Sequence, residues 1–145
     1  MRIIVDADAT PRTCLKIVIE LAAQYDWEVT TVASINHRID SPDHRVVGDE
    51  PQAADLAVMN LARAGDVVVT QDHGLAAMVL SKGTTALAPS GLIYENDRMT
   101  LMLEERNELA RWRRGGGRTK GPAPRSPQDD RQFRASLSKL LTVKN

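Results

Sequence analysis

Aromatic side chains are scarce, only 3% of the 145 residues: two Trp, two Tyr and one Phe. A core built from this chain must be aliphatic, and a row of rings on which successive bases stack is excluded as the main mode of binding. Cysteine occurs once, at Cys14, which excludes an internal disulfide and a zinc site made of several thiolates. No apolar run approaches the roughly 20 residues that span a bilayer. The opening Arg2-Ile3-Ile4-Val5-Asp6 carries no signal-peptide pattern. A cytoplasmic location with no membrane partner is the expectation.

Net charge is missing too, since 19 Lys/Arg balance 19 Asp/Glu. The balance is segregated along the chain. Residues 1–110 hold 9 Lys/Arg and 17 Asp/Glu, whereas residues 111–145 hold 10 and 2. An acidic body with a basic C-terminal part can meet a polyanion, or the basic part can fold back and neutralise the body. The two readings are compatible.

What the chain does have is 42% hydrophobic residues and a length suited to one domain. Residues 2–5 read as a buried strand, and Thr10-Pro11 as an N-cap followed by proline at the first helical position. Leu15, Val18, Ile19 and Ala22 recur at helical spacing through Gln24. Trp27–Ala33 reads as a strand, Val46-Val47 as a short one, and Pro51 starts a second helix carrying Ala54, Val58, Leu61 and Ala62. Val67–Thr70 is the clearest strand. Asp72 or His73 opens a third helix through Ser81, and residues 84–88 form another strand. Residues 98–114 read as a helix, broken by Gly115-Gly116-Gly117. A last helix, 128–142, has Phe133, Leu137, Leu140 and Leu141 on its apolar side.

Alternating strands and helices predict an α/β fold, a three-layer sandwich with a mainly parallel central sheet. Residues 1–114 form the domain, 115–127 a Gly/Pro/basic linker, and 128–145 a C-terminal helix packing on the domain. Ligands of such folds gather outside the carboxyl ends of the strands.

That rule singles out four carboxylates. Asp6 and Asp8 end the first strand two residues apart, which in extended backbone aims them to one side. Asp72 follows the strand 67–70, and Asp55 lies one turn into the second helix. Carboxylates gathered at one edge repel one another unless a cation lies between them. An all-oxygen set suits Mg²⁺ or Mn²⁺, which keep waters and share coordination with substrate phosphates. Each acid also has a plainer reading: Asp8 and Asp72 as helix caps, with Thr10 competing for the first, and Asp55 as a solvated helix residue. His73 is read as structural or exposed rather than as a base. The basic residues Arg111, Arg113, Arg114, Arg118, Lys120 and Arg125 offer salt-dependent contacts to phosphates, or make up a solvated linker.

Five stretches carry a resemblance: Ile3–Ala9, Ala54–Val58, Val69–Ala77, Gly91–Tyr94 and Arg114–Pro122. Together they resemble the YaiI/YqxD family of uncharacterised bacterial proteins, which itself looks like a branch of the PIN-like nuclease superfamily. The resemblance implies Asp6 as the first-strand aspartate, Asp55 as the helix aspartate, and Asp72 as the aspartate of a Thr-x-Asp motif supported by Thr70. Asp8 is an extra acid of this branch. Gly74 stands where many PIN domains have a further acid, and Thr10 where relatives usually have cysteine. The expectation is a Mg²⁺- or Mn²⁺-dependent nuclease acting on RNA or single-stranded nucleic acid. Its catalytic set is Asp6, Asp8, Asp55, Asp72 and Thr70, the four aspartates holding metal, and Arg111, Arg113, Arg114, Arg118 and Lys120 holding nucleic acid. The alternative is a nucleic-acid- or ribosome-associated module that kept the fold without turnover. Homodimerisation is allowed for.

Overall fold

The computed structural model of the chain describes residues 1–34, 41–48, 50, 52–95 and 125–144. The first strand, β1 (Arg2–Asp6), buries Ile3, Ile4 and Val5 completely. A continuous β-branched run of this kind is what a central parallel strand, covered on both faces, requires. A 3₁₀ turn (Ala7–Ala9) follows, then α1 (Arg12–Tyr25), β2 (Glu28–Ser34), β3 (His44–Val47) and α2 (Ala53–Leu61). The chain continues through β4 (Val67–Val69), α3 (His73–Leu80), β5 (Thr85–Leu87), β6 (Ile93–Tyr94) and α4 (Pro127–Lys144).

The six strands lie in the order β3-β2-β1-β4-β5-β6. All pairings are parallel except β5 with β6. Alternate residues face opposite layers, as the period of a strand demands. Ile3, Val5, Val67 and Val69 pack with α1 and α4; Ile4, Val32 and Val68 pack with α2 and α3. The result is the three-layer α/β sandwich expected from the alternation of strands and helices. No described helix is long and apolar enough to cross a membrane.

Helix α4 completes the first of these layers. Phe133, Leu137 and Leu141 are fully buried in one cluster with Ile17, Val18 and Leu21 of α1. Arg125, just before α4, meets Thr13 and Cys14 near the start of α1, and Arg134 meets Glu20 farther along, so the two helices run parallel. The turn between β5 and β6 also meets α4. Gly91 adopts φ +94, and a Cβ there would lie 2.7 Å from the Gln132 backbone carbon. The Gly91 carbonyl accepts a hydrogen bond from the Ser136 hydroxyl at 2.6 Å.

Several sequence expectations need correction. The N-cap position of α1 is Pro11 rather than Thr10, and no side chain caps that helix. Thr10 instead donates its hydroxyl to the Asp6 carbonyl at 2.8 Å. Helix α1 ends at Asp26, in left-handed backbone at φ 61. Strand β6 had no sequence signal, because two residues cannot display a period. Arg125, assigned to the phosphate-binding stretch, is instead spent inside the fold. Its guanidinium binds Asp130 and the Pro89 carbonyl, each at 2.8 Å from the donating nitrogen, and the Cys14 sulfur at 2.8 Å. The expected helix at 98–114 and the linker residues 115–124 lie outside the described residues.

Candidate metal centre

From β1 the chain winds outward through α1 to β2 and β3, and from β4 outward through α3 to β5. The carboxyl ends of β1 and β4 therefore flank the point where strand order reverses, the place where open α/β sheets bind ligands. Asp6 is the last residue of β1, and Thr70 directly follows β4. Their side chains meet: the Thr70 hydroxyl donates to Asp6 Oδ2 at 2.9 Å and accepts from the Asp72 backbone N–H at 3.0 Å. One hydroxyl thus links the ends of both central strands.

Asp6 is only 4% exposed. Burial pushes its carboxyl up to about 6 from an ordinary 3.8. The Thr70 hydrogen bond opposes that rise, and the charges of Asp55, Asp8 and Asp72 add to it. Asp55, in the first turn of α2, is also raised, by burial first and then by Asp72. All four aspartates are therefore coupled through Asp6, although they reach it from different elements.

They are not equivalent. Asp72 is the N-cap of α3, and its Oδ1 accepts from the Gly74 and Leu75 N–H groups at 2.9 and 3.2 Å. The capping role weighed for this residue is real, and it leaves Oδ2 without a hydrogen bond among the described residues. The chain turns into a 3₁₀ helix at Ala7, so extended-strand geometry no longer relates Asp8 to Asp6, yet the Asp8 charge still raises the Asp6 carboxyl. The Asp8 carboxylate accepts from the Ser34 N–H at the end of β2, at 2.9 Å, and does not cap α1. Among the described residues, no three His, Cys, Asp or Glu side chains stand close enough to hold an ion as placed. The donor set itself is all carboxylate oxygen, which fits a hard cation bound partly through water.

Near the site, the role of Tyr94 had no signal in the sequence, and His73 was read there as structural or exposed. Tyr94 of β6 donates its hydroxyl to the Thr70 carbonyl at 3.4 Å, and burial followed by the Asp72 charge pushes the phenol up to about 12. His73 meets the Tyr94 ring edge-on, with centroids 5.6 Å apart. Ser34, which holds Asp8, was equally invisible. Arg111, Arg113, Arg114, Arg118 and Lys120 lie outside the described residues.

The model of a family described as "Uncharacterized BCR, YaiI/YqxD family" matches residues 4–143, nearly the whole chain. The chain belongs to this family. It is 52% identical over 141 residues to a UPF0178 protein of Heliobacterium modesticaldum, covering 97% of each. A UPF0178 protein of Clostridium acetobutylicum is 41% identical over 145 residues, again with 97% of each covered. One of Staphylococcus saprophyticus is 37% identical over 145 residues, covering 97% of this chain and 93% of that one. No solved structure matches significantly. The YaiI/YqxD match spans all four aspartates and helix α4, so the site and the helix that closes the core fall within one family unit.

Proposed function

We propose that this protein is a divalent-metal-dependent nuclease of the PIN-like type, acting on RNA or single-stranded nucleic acid in the cytoplasm. The observation that carries the reading is Asp6, a carboxylate almost wholly buried at the sheet's switch point, with three further aspartates disfavouring its ionisation. A carboxylate kept there without a cationic partner among the described residues is a standing destabilisation, and a hard cation removes it. Asp6, Asp55, Asp72 and Asp8 are the proposed ligands of Mg²⁺ or Mn²⁺, directly or through water. A bound ion of this kind lowers the pKa of a coordinated water and neutralises charge on a phosphodiester. Thr70 fixes the rotamer of Asp6, and the α3 cap fixes that of Asp72. The basic residues Arg111, Arg113, Arg114, Arg118 and Lys120 are the proposed phosphate contacts.

Calorimetry with Mn²⁺ tests the centre. The Asp6→Asn/Asp72→Asn variant is expected to bind Mn²⁺ more weakly by at least about tenfold, ligand removal being no milder than loss of an outer partner. Asn caps a helix as well as Asp does, so the fold of α3 survives the change. Equal binding by variant and wild type removes the proposal.

A second reading, a nucleic-acid-binding module without turnover, is favoured by one observation: Asp72 spends an oxygen on its helix. Incubation with single-stranded RNA and Mn²⁺ separates the two. Cleavage lost in Asp6→Asn supports the nuclease; salt-sensitive binding with intact RNA supports the module.

A further inference from the structure

A cavity of about 400 Å³ opens beside Asp72 at the same edge of the sheet. Gln71 and His73, the chain neighbours of Asp72, line it, together with Pro11 at the start of α1, Pro89 after β5, Tyr94, and Arg125 before α4. We propose that this cavity is a nucleobase subsite, receiving one unpaired base next to the phosphodiester held at the carboxylates. The inference rests on the nuclease reading for its neighbour, but its own basis is the chemistry of the walls.

Charge decides against a phosphate. Among the described residues lining the cavity, Arg125 is the one guanidinium or ammonium, and it is turned inward. Its Nε donates to Asp130, its Nη1 to the Pro89 carbonyl, and its Nη2 contacts the Cys14 sulfur. Asp129 adds a carboxylate to the lining. An anion would meet that charge, and the one beside it on Asp72, without a free cation among the described lining residues to offset them. A neutral ligand meets no such penalty.

Shape and polarity point to a planar heterocycle. The proline rings of Pro11 and Pro89 offer flat apolar surface, and His73 stands edge-on to Tyr94 at an interplanar angle of 73°. The exposed amide of Gln71 carries both donors and acceptors, which is what the edge of a base presents. Ser90, itself exposed, also lines the cavity. Single-stranded RNA is read in this way, by unstacked bases bound on flat side chains and paired along their edges. One such subsite needs few aromatic residues, in keeping with the composition. The volume falls within the range of small-molecule pockets.

The test titrates the full chain with adenosine, guanosine, cytidine or uridine, and separately with ribose 5-phosphate, following the NMR signals of His73 and Tyr94. All titrations contain a chelator, so loss of the metal centre would leave their outcome untouched. Nucleosides are expected to shift these signals and ribose 5-phosphate is not. Gln71→Ala is expected to weaken nucleoside binding by about three- to tenfold, the worth of one neutral hydrogen bond. Ser90→Trp, which adds an indole to the lining, is expected to abolish it. The proposal is overturned if ribose 5-phosphate binds as well as the nucleosides, or if no nucleoside shifts the signals. It is equally overturned if both variants bind like wild type.

Discussion

Asp6 and Asp66 are both buried aspartates, placed at opposite ends of the parallel sheet. Asp66 accepts two backbone N–H groups, from Arg2 and Arg63, at 3.1 and 3.0 Å. The carboxylate of Asp6 has one donor among the described residues, the Thr70 hydroxyl, and three acidic neighbours. That difference gives Asp6 a pH signature. Below about pH 4 its carboxyl is protonated in folded and unfolded chains alike. Between about 4 and 6 the unfolded chain ionises while the folded one does not, so stability falls as pH rises. Above that window the ionised folded state carries the whole penalty, roughly 3 kcal/mol for a shift of this size. Asp6→Asn is therefore expected to exceed wild type in stability at pH 7.5 by roughly 1–3 kcal/mol without divalent ions. The gap should close near pH 4. Urea unfolding across that range measures it, and a gap independent of pH would contradict the assignment. The sequence located Asp6 correctly, since an aspartate ending a fully apolar strand has only one edge to occupy. Nothing in Ala7-Asp8-Ala9 announces a 3₁₀ turn, so the extended-strand relation read between Asp6 and Asp8 does not hold, although the Asp8 charge reaches Asp6.

Helix α3 shows how one element can serve two ends. Its N-cap, Asp72, satisfies two N–H groups that the helix leaves open, and a side chain that accepts those bonds is held at the sheet edge. Asp72→Ala is expected to destabilise the fold by about 1 kcal/mol, while Asp72→Asn stays within a few tenths. Thermal unfolding of the two variants checks the pair, and similar losses in both would mean that charge rather than capping dominates. The β5–β6 turn makes a comparable contribution to docking α4. Gly91→Ala forces a Cβ into left-handed backbone and against the Gln132 main chain. A loss of roughly 1–3 kcal/mol is expected, as for an overpacked core, read from urea midpoints. Unchanged stability would show that α4 can shift freely. Helices with a clear period and strands of unbroken apolar residues were legible in the sequence, and β1, β2, β4 and the four described α-helices lie close to their expected places. Strand β6 was not, because two residues display no period, nor was the Arg125 clip, because its contacts with Thr13 and Cys14 span more than a hundred positions and leave no local pattern.

Across the whole molecule, the charge segregation seen in the sequence takes on a structural meaning. The acidic edge belongs to the sheet, and one basic residue of the C-terminal part, Arg125, is committed to packing rather than to a polyanion. Neutralising Arg111, Arg113, Arg114, Arg118 and Lys120 together is expected to flatten the salt dependence of single-strand binding by up to about 3.5 in log–log slope, roughly 0.7 per phosphate contact. Fluorescence anisotropy between 50 and 200 mM salt, on the order of the range where such slopes are read, measures this. An unchanged slope would return those residues to the status of a solvated linker. The burial of Phe133, Leu137 and Leu141 against α1 has an outcome for biosynthesis. Ile3 and Val5 receive part of their cover from α1, and the rest only from α4, some 130 positions later in the chain. At ribosomal speeds of about 5–20 residues per second, that side of the nascent sheet stays only partly covered for many seconds. The aliphatic surface that α4 will cover is thus open to other contacts until that helix has been made.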